Sequence, residues 1–451
     1  MRIGRGEAIA VAVGLALVVA AFVVPHLGWG SLTPVDTDLP ALRRTFGDAA
    51  PLFGQRKPHV GWGSIPAVVL GAATVRYGPD LAQRLAWRRL TWATWATACG
   101  WAFALAMIDG WRRGFTGRLT DPHEYLHQVP GITDIPATLR TFTGRILDFQ
   151  PNSWVTHVSG HPPGALLTFV WLDRLGLGGG AWAGLLCLLV GSSAAAAILV
   201  ALQVLGDEAT ARRAAPFVAV APTAIWVAVS ADGYFAGVAA WGLALLAVAV
   251  RGHPRAPLLT AAGAGLLLGW AVYLNYGLTL LALPAAAVLA CATDARTALR
   301  TLAAAAVTAL AVAAVFTPAG FCWFDGYTLV QQRYWQGVAN IRPFGYWVWG
   351  NLAAVVCAIG LGSVAGLGRV LDVAAIRRRS GPHLLLLAAL IAIVCADLSM
   401  LSKAETERIW LPFTVWLTAA PALLPRRSHR LWLALNVLGA LLINHLILTN
   451  W

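Results

Sequence analysis

The residues able to do chemistry are concentrated between Asp121 and Gly164. Asp121 and Glu124 stand there with Asp134 and Asp148, the histidines His123, His127, His157 and His161, and the arginines Arg140 and Arg145. A carboxylate in such a group can take the proton of an attacking hydroxyl, while cationic side chains hold the charge that develops on a leaving group. Metal chemistry is less well supplied. His123 and His127 are spaced i, i+4, which suits zinc on a helix. No His-Glu-x-x-His pattern accompanies them, and Pro122 and Pro130 bracket the segment. The metal use left open is a divalent cation, Mg2+ or Mn2+, held by Asp121 or Glu124 together with a diphosphate.

Ionisable groups are costly in hydrocarbon, so this stretch must be a watery or interfacial loop, and apolar segments crowd both sides of it. The 451 residues are 58% hydrophobic and 12% charged, with mean hydropathy +0.68. An ordinary soluble domain is about 25% charged. Apolar runs of about 17–25 residues recur without the alternation of a barrel strand, which predicts an all-α polytopic membrane protein. The net charge of +13 does not point to nucleic acid, because arginines fill the short gaps between apolar runs as in cytoplasmic loops. Lys57 and Lys403 are the only lysines. The arginine- and alanine-rich composition suggests a GC-rich genome such as an actinobacterium's. Five of the six cysteines, all but Cys322, fall in apolar runs, with no pairing or metal-ligand spacing.

The elements that must position the polar stretch follow from the arginine pattern. A first span near 8–24, retained despite its signal-like start, leads to an outer loop with Asp36, Asp38, Asp48, Arg43, Arg44, Arg56 and Lys57. Spans near 59–75 and 91–108 flank the inner Arg76, Arg84, Arg88 and Arg89 and deliver 109–180, a large outer loop. Within it, the segment after His161-Pro162-Pro163-Gly164 is too short to span and is expected as an interfacial, juxtamembrane helix. Further spans are expected near 181–204, 215–230, 234–250, 257–274, 278–292, 302–317, 346–366, 383–399, 410–424 and 431–448. A second outer loop covers 318–345. The count is about thirteen transmembrane helices in one membrane domain over 1–451, N-terminus cytoplasmic and C-terminus outside.

The longer polar loops all fall on the outer side, where arginines run against the usual bias and suit an anionic ligand such as a lipid phosphate. Lys403, Glu405, Glu407 and Arg408 precede a span directly and can clamp a phosphate, one glutamate orienting the cation. Asp232, next to Tyr234, lies in a tight outer turn that faces the space enclosed by the loops, or else caps the following helix. Aromatics of the second loop, Trp323, Tyr327, Tyr334 and Trp335, suit interfacial anchoring and also the stacking of sugar rings.

This pattern resembles the GT-C superfamily, membrane glycosyltransferases that use polyprenyl-phosphate-linked sugars. Asp121-Pro122-His123-Glu124-Tyr125 and His161-Pro162-Pro163-Gly164 hold the places of that superfamily's acidic motif and of the His-Pro-Pro motif opening its juxtamembrane helix. The two acids are separated here instead of adjacent, a span pair precedes them, and Asp36 and Asp38 stand in the first outer loop as a second place for the base. The resemblance implies an integral membrane enzyme moving a sugar from a polyprenyl-phosphate donor to an envelope glycan or lipoglycan, on the outer face of the plasma membrane, by inverting displacement. Actinobacterial mannosyl-, arabinosyl- and methylthioxylosyl-transferases are the most similar in size and pattern. It implies Asp121 or Glu124 as base, and Lys403, Glu405, Arg408, Asp232, Tyr125 and His161 around the donor phosphate and substrate. The competing class is a transporter or flippase of an anionic lipid-linked sugar, which would carry its polar residues within the spans.

Overall fold

The computed structural model describes residues 4–27, 32–36, 48–252 and 254–450. Asp38, Arg43 and Arg44 lie outside them. The architecture is all-α apart from one short ribbon. The principal helices are α1 (Arg5–Val23), α2 (Ser64–Arg84), α3 (Trp87–Ala106), α4 (Pro163–Arg174), α5 (Gly180–Leu205), α6 (Glu208–Ala219) and α7 (Ala231–Arg251). They continue with α8 (Pro257–Leu274), α9 (Ala295–Phe316), α10 (Trp323–Gln336), α11 (Phe344–Ile359), α12 (Leu361–Val370), α13 (Gly381–Leu398), α14 (Leu411–Leu417) and α15 (His429–Leu446).

Six of the described helices are long and apolar enough to cross a membrane, and α11 with α12 makes a seventh if that bent pair is one span. This makes a multi-pass membrane protein. Large apolar side chains such as Ile9, Val13 and Val19 on α1 and Leu299, Val307, Leu310 and Val315 on α9 point outward; a surface of this kind belongs against lipid, not water.

The roughly thirteen expected spans are not all alike. Each expected stretch contains helix, but seven of the thirteen are too short, too polar or broken to pass as a straight span. The stretch near 215–230 is divided: α6 ends at Ala219, and Pro222 opens a separate 3-10 turn, Pro222–Trp226. The stretch near 346–366 bends by 108° between α11 and α12. Gly360 sits at the break with φ +79°, a region open to glycine. The Asn436 side chain accepts the N–H of Gly362 at 2.7 Å, so one of the backbone donors freed by the break is recaptured inside the bundle.

Helices α5, α7, α8 and α9 pack in sequence against one another. Without a hydrophobic drive between helices in lipid, close approach through small residues does this work. A Cβ placed on Gly237 of α7 would overlap the Val190 carbonyl of α5, and one on Gly191 would lie 2.8 Å from the Gly233 carbonyl oxygen.

The connecting segments sort to two ends of the bundle. At one end β1 (Gly54–Arg56) pairs antiparallel with β2 (Ile447–Thr449), Gly54 opposite Thr449. Arg113 and Arg118 donate to the Thr449 carbonyl at 2.9 Å each, and Arg333 meets Asp148 at 2.5 Å. This ribbon was not legible in the sequence, because neither strand has an alternating apolar pattern. At the other end Arg369 pairs with Glu7 at 2.7 Å and Arg430 with Asp80 at 2.8 Å. The loops expected on one face thus bind one another, and the arginine-rich turns gather opposite.

Replacing Gly237 by valine is expected to lower stability by about 3 kcal/mol or more, read from the denaturation midpoint of the protein in detergent. Gly439→Ala, whose added Cβ meets nothing within 4 Å, should leave that midpoint unchanged or slightly raised.

Candidate active site

Four separate segments converge on Arg408: the 121–127 loop, the short helix Thr156–Ser159, the first turn of α7, and the turn ending in the short helix Thr406–Ile409. Arg408 is buried, and its Nη1 lies 2.5 Å from Asp232 Oδ2. Its Nη2 donates to Glu405 Oε2 at 2.8 Å and to His157 Nε2 at 3.0 Å. Asp232 does not cap α7. Ser230 does, accepting the Asp232 N–H at 3.1 Å, which leaves the aspartate free to face Arg408 with the helix N-terminus supporting its charge.

The histidine protonation follows from its partners. His157 Nε2 accepts from Arg408, so its proton is on Nδ1, which lies 2.9 Å from the His123 carbonyl and 3.4 Å from Glu124 Oε1. Burial first, then the Arg408 charge, pushes His157 down to about 3, so it is neutral.

The two acids of the sequence motif separate. Asp121 is exposed and ties back on its own turn, accepting the His123 N–H and contacting His123 Nδ1, both at 2.9 Å. Glu124 is buried at 3% exposure. Loss of water raises its carboxyl to about 8, against the lowering effect of Arg408 and with Asp232 and Asp121 adding to the rise. Glu124 Oε2 and Asp232 Oδ1 are buried without a hydrogen-bond partner among the described residues. Tyr125, the next residue, is buried with its hydroxyl 2.9 Å from His161 Nδ1, which also lies 2.7 Å from the His157 carbonyl. His161 therefore shapes the loop beneath Glu124 and Tyr125. Pro162 and Pro163 start α4, and a Cβ at Gly164 would run into the Tyr273 carbonyl of α8. The expected interfacial helix is buried from Pro163 through Leu167, wedged under the site.

The 400–409 turn is held in an unusual conformation. Ala404 and Glu405 have φ of +69° and +61°. Arg342 donates to the Lys403 carbonyl at 2.6 Å and to Glu405 Oε1 at 3.0 Å. Asn351 accepts the Ala404 N–H at 3.1 Å, and the Tyr334 hydroxyl accepts the Lys403 N–H at 3.0 Å. Between two arginines, and despite burial, the Glu405 carboxyl falls to about 2. Lys403 Nζ lies 4.4 Å from the Trp335 ring centre, a cation–π contact. Glu407 is fully buried and accepts the Phe53 N–H at 2.9 Å, tying the first outer loop to this turn.

Of the expected residues, Glu124, Asp232, Glu405 and Arg408 meet around one point, Tyr125 and His161 support them, and Lys403 lies along the same turn. Asp121 faces away. Asp36 is exposed, with its N–H donated to the Ile341 carbonyl at 2.8 Å. Arg342 was not singled out, His157 was counted only among the histidines of its stretch, and Glu407 only as one of two glutamates able to orient a cation. Arg342 did carry a signal, as an arginine in an outer loop. No group of three or more His, Cys, Asp or Glu side chains is placed to hold a metal ion among the described residues. The positive charges among these acids are Arg408 and, on Glu405, Arg342.

No family model matches this chain. No curated protein matches it. Among solved structures it is similar to the Archaeoglobus fulgidus oligosaccharyltransferase in the apo form, at 12% identity over 73% of this chain and 50% of that one, TM-score 0.49. It is also similar to the Archaeoglobus fulgidus oligosaccharyltransferase AglB in complex with an inhibitory peptide and a dolichol-phosphate, at 15% identity over 74% and 50%, TM-score 0.46. A third is that oligosaccharyltransferase in complex with Zn and sulfate, at 14% identity over 78% and 53%, TM-score 0.44. The chain spans about half the length of the solved structures it matches.

Asp232→Asn leaves Arg408 buried with one carboxylate fewer and is expected to cost about 3–5 kcal/mol, measured by denaturation in detergent. Asp121→Asn should stay within about 0.5 kcal/mol. The pH dependence has two limbs. Glu405, depressed in the folded state to about 2, stabilises above the ordinary carboxylate range, and that contribution is lost as pH falls towards 2. Glu124, raised to about 8, contributes below the ordinary range, and its contribution is lost as pH rises through 8. Glu124→Gln should therefore reduce the alkaline limb of stability, to which Glu407, raised by burial to about 7, also contributes, and leave the acid limb in place.

Proposed function

We propose that this protein is an integral membrane glycosyltransferase of GT-C type. It moves a sugar from a polyprenyl-phosphate donor to an envelope glycan or lipoglycan acceptor on the outer face of the plasma membrane, as one membrane domain with a cytoplasmic N-terminus and an outer C-terminus. The observation that carries the reading is Glu124: a buried carboxyl with one oxygen unpartnered, poised near neutral pH, beside an Arg408-centred charge cluster at the end of the bundle where the long loops meet.

The chemistry follows from that placement. In an inverting displacement the acceptor hydroxyl attacks the anomeric carbon as its proton passes to Glu124 Oε2, and the sugar–phosphate bond breaks with the electron pair going to the phosphate. A carboxyl whose affinity for protons lies near the working pH is suited to this transfer. Lys403 and Arg408 neutralise the departing phosphate, with Glu405 and Asp232 setting the Arg408 orientation. Tyr125 and His161 fix the loop that carries Glu124. The charged groups lie in loops and at helix ends, which favours the enzyme over a transporter built around polar residues within its spans.

The test is sugar transfer by purified protein from labelled polyprenyl-phosphate mannose, arabinose or a related pentose to a lipoglycan acceptor. Glu124→Gln should reduce kcat by at least about a hundredfold while the protein remains folded, and Asp121→Asn should retain most activity. In the wild type kcat/KM should rise with pH towards 8 as Glu124 ionises. Transfer that survives Glu124→Gln, or a profile flat across this range, would sink Glu124 as the base.

A further inference from the structure

The opposite end of the bundle carries a second cationic feature. A cavity of about 390 Å3 is lined by Arg213 of α6, Arg369 of α12, Arg426, His383 of α13 and Asp372, with Leu423 and Leu424 on one side. It is remote from the Arg408 cluster. Helix α13 starts beside it and runs 18 residues, about 27 Å at the helical rise, before the chain turns into the Lys403–Arg408 segment.

The charges here are not mutually satisfied. Asp372 is occupied with capping, accepting the N–H groups of Ala374 at 2.9 Å and Ala375 at 3.2 Å. Arg369 is neutralised by Glu7, with contacts at 2.7 and 3.2 Å. Arg213 is held without a carboxylate in contact: its Nε donates to the Ala422 carbonyl and its Nη2 to Thr210 Oγ1, each at 2.8 Å. Asp207, which caps α6 through the Thr210 N–H, opposes part of its charge from a distance. Arg426 is exposed and makes no hydrogen bond or ion pair among the described residues, yet its charge acts on Arg213. Two guanidinium groups are thus set against each other across a cavity wall, one of them fixed by the backbone. An anion between them relieves the repulsion.

We propose that this cavity is a binding site for a phosphate group on a small polar headgroup, with Arg213 and Arg426 as its cations and the Arg369–Glu7 pair as its rim. Guanidinium forks match phosphate oxygens two at a time, and basic pockets between membrane helices suit phosphorylated headgroups. The cavity has room for more than a bare phosphate, and Leu423 and Leu424 offer an apolar edge to whatever carries it. The phosphate can come from an anionic phospholipid of the adjoining leaflet or from a soluble phosphate ester.

The full chain in detergent would be titrated with short-chain phosphatidylglycerol, with the phosphatidylcholine of the same chain length, and separately with glycerol 3-phosphate. Binding would be followed by the thermal denaturation midpoint. Phosphatidylglycerol should raise the midpoint saturably and phosphatidylcholine should not. Arg426→Gln, at an exposed position without bonds to lose, should weaken the apparent affinity about fivefold, and Arg426→Glu should weaken it further. A response to the lipid alone identifies the membrane as the source. An equal response to glycerol 3-phosphate identifies a soluble ester, and both results support the site. Equal responses to the two lipids, or unchanged affinity in both Arg426 variants, would overturn it.

Discussion

A guanidinium group withdrawn from water inside an apolar bundle must be given counter-charges, and the end of this protein where the long loops meet is arranged around that requirement. Arg408 finds Asp232 at 2.5 Å and Glu405 at 2.8 Å. Glu405 is shared with Arg342, so two arginines face two carboxylates and the group is neutral as it stands. One further ionised acid would unbalance it. Burial first, and then the nearby Asp232 and Asp121, make Glu124 in the same enclosure hold its proton up to about 8, and His157, also buried, accepts from Arg408 in its neutral form. Desolvation raises every buried acid here, and whether the net shift is up or down is decided by the contacts each makes with the arginines.

Holding Glu405 between two arginines has a conformational cost. Ala404 and Glu405 both occupy the left-handed region, at about 1–3 kcal/mol each. Arg342, Asn351 and Tyr334 offset it by taking the carbonyl, amide and side-chain groups that this turn presents. These three come from α10, α11 and the segment between them, so this stretch is part of the site through the backbone it restrains. The first outer loop joins through Phe53 and Glu407. Removing a partner remote from Arg408 therefore acts on the cluster by releasing the turn, a different route from removing a charge within it.

Much of this was legible because charge is rare in so apolar a chain. Glu124, Asp232, Glu405 and Arg408 stood out by type alone, and their loops were placed on one face by the arginine pattern. The pairings were not legible. Asp121 and Glu124 are equivalent as letters, and only the 3-10 turn at Tyr125–His127 sends one to solvent and the other inward. His161 was marked by its prolines, whereas His157, one helical turn earlier, makes the contact with Arg408. The straight run expected near 346–366 failed at Gly360 because an apolar sequence does not announce a break whose freed donor is taken up by Asn436, some 75 residues away in the chain.

The charge arrangement also orders the cations available to a phosphate. In the proposed transfer a phosphate reaching Arg408 would compete with Asp232 and Glu405, which already hold both terminal guanidinium nitrogens in a desolvated setting. Contact there requires an exchange of anions, and the carboxylate displaced must take up a proton or a new partner. Lys403 faces no such competition. Its ammonium rests on the Trp335 ring, and no carboxylate lies within ion-pair distance among the described residues. Burial, and then the nearby Arg342, lower its proton affinity, so an approaching anion finds there a cation with much to gain from pairing. On this ordering, in the proposed transfer, Lys403 would receive the phosphate first. In that transfer Arg408 also fixes Asp232 and Glu405, and the charge balance set with them holds Glu124 near the point of ionisation. Glu124 thus gives its own proton to solvent before its free oxygen takes the proton of the substrate hydroxyl.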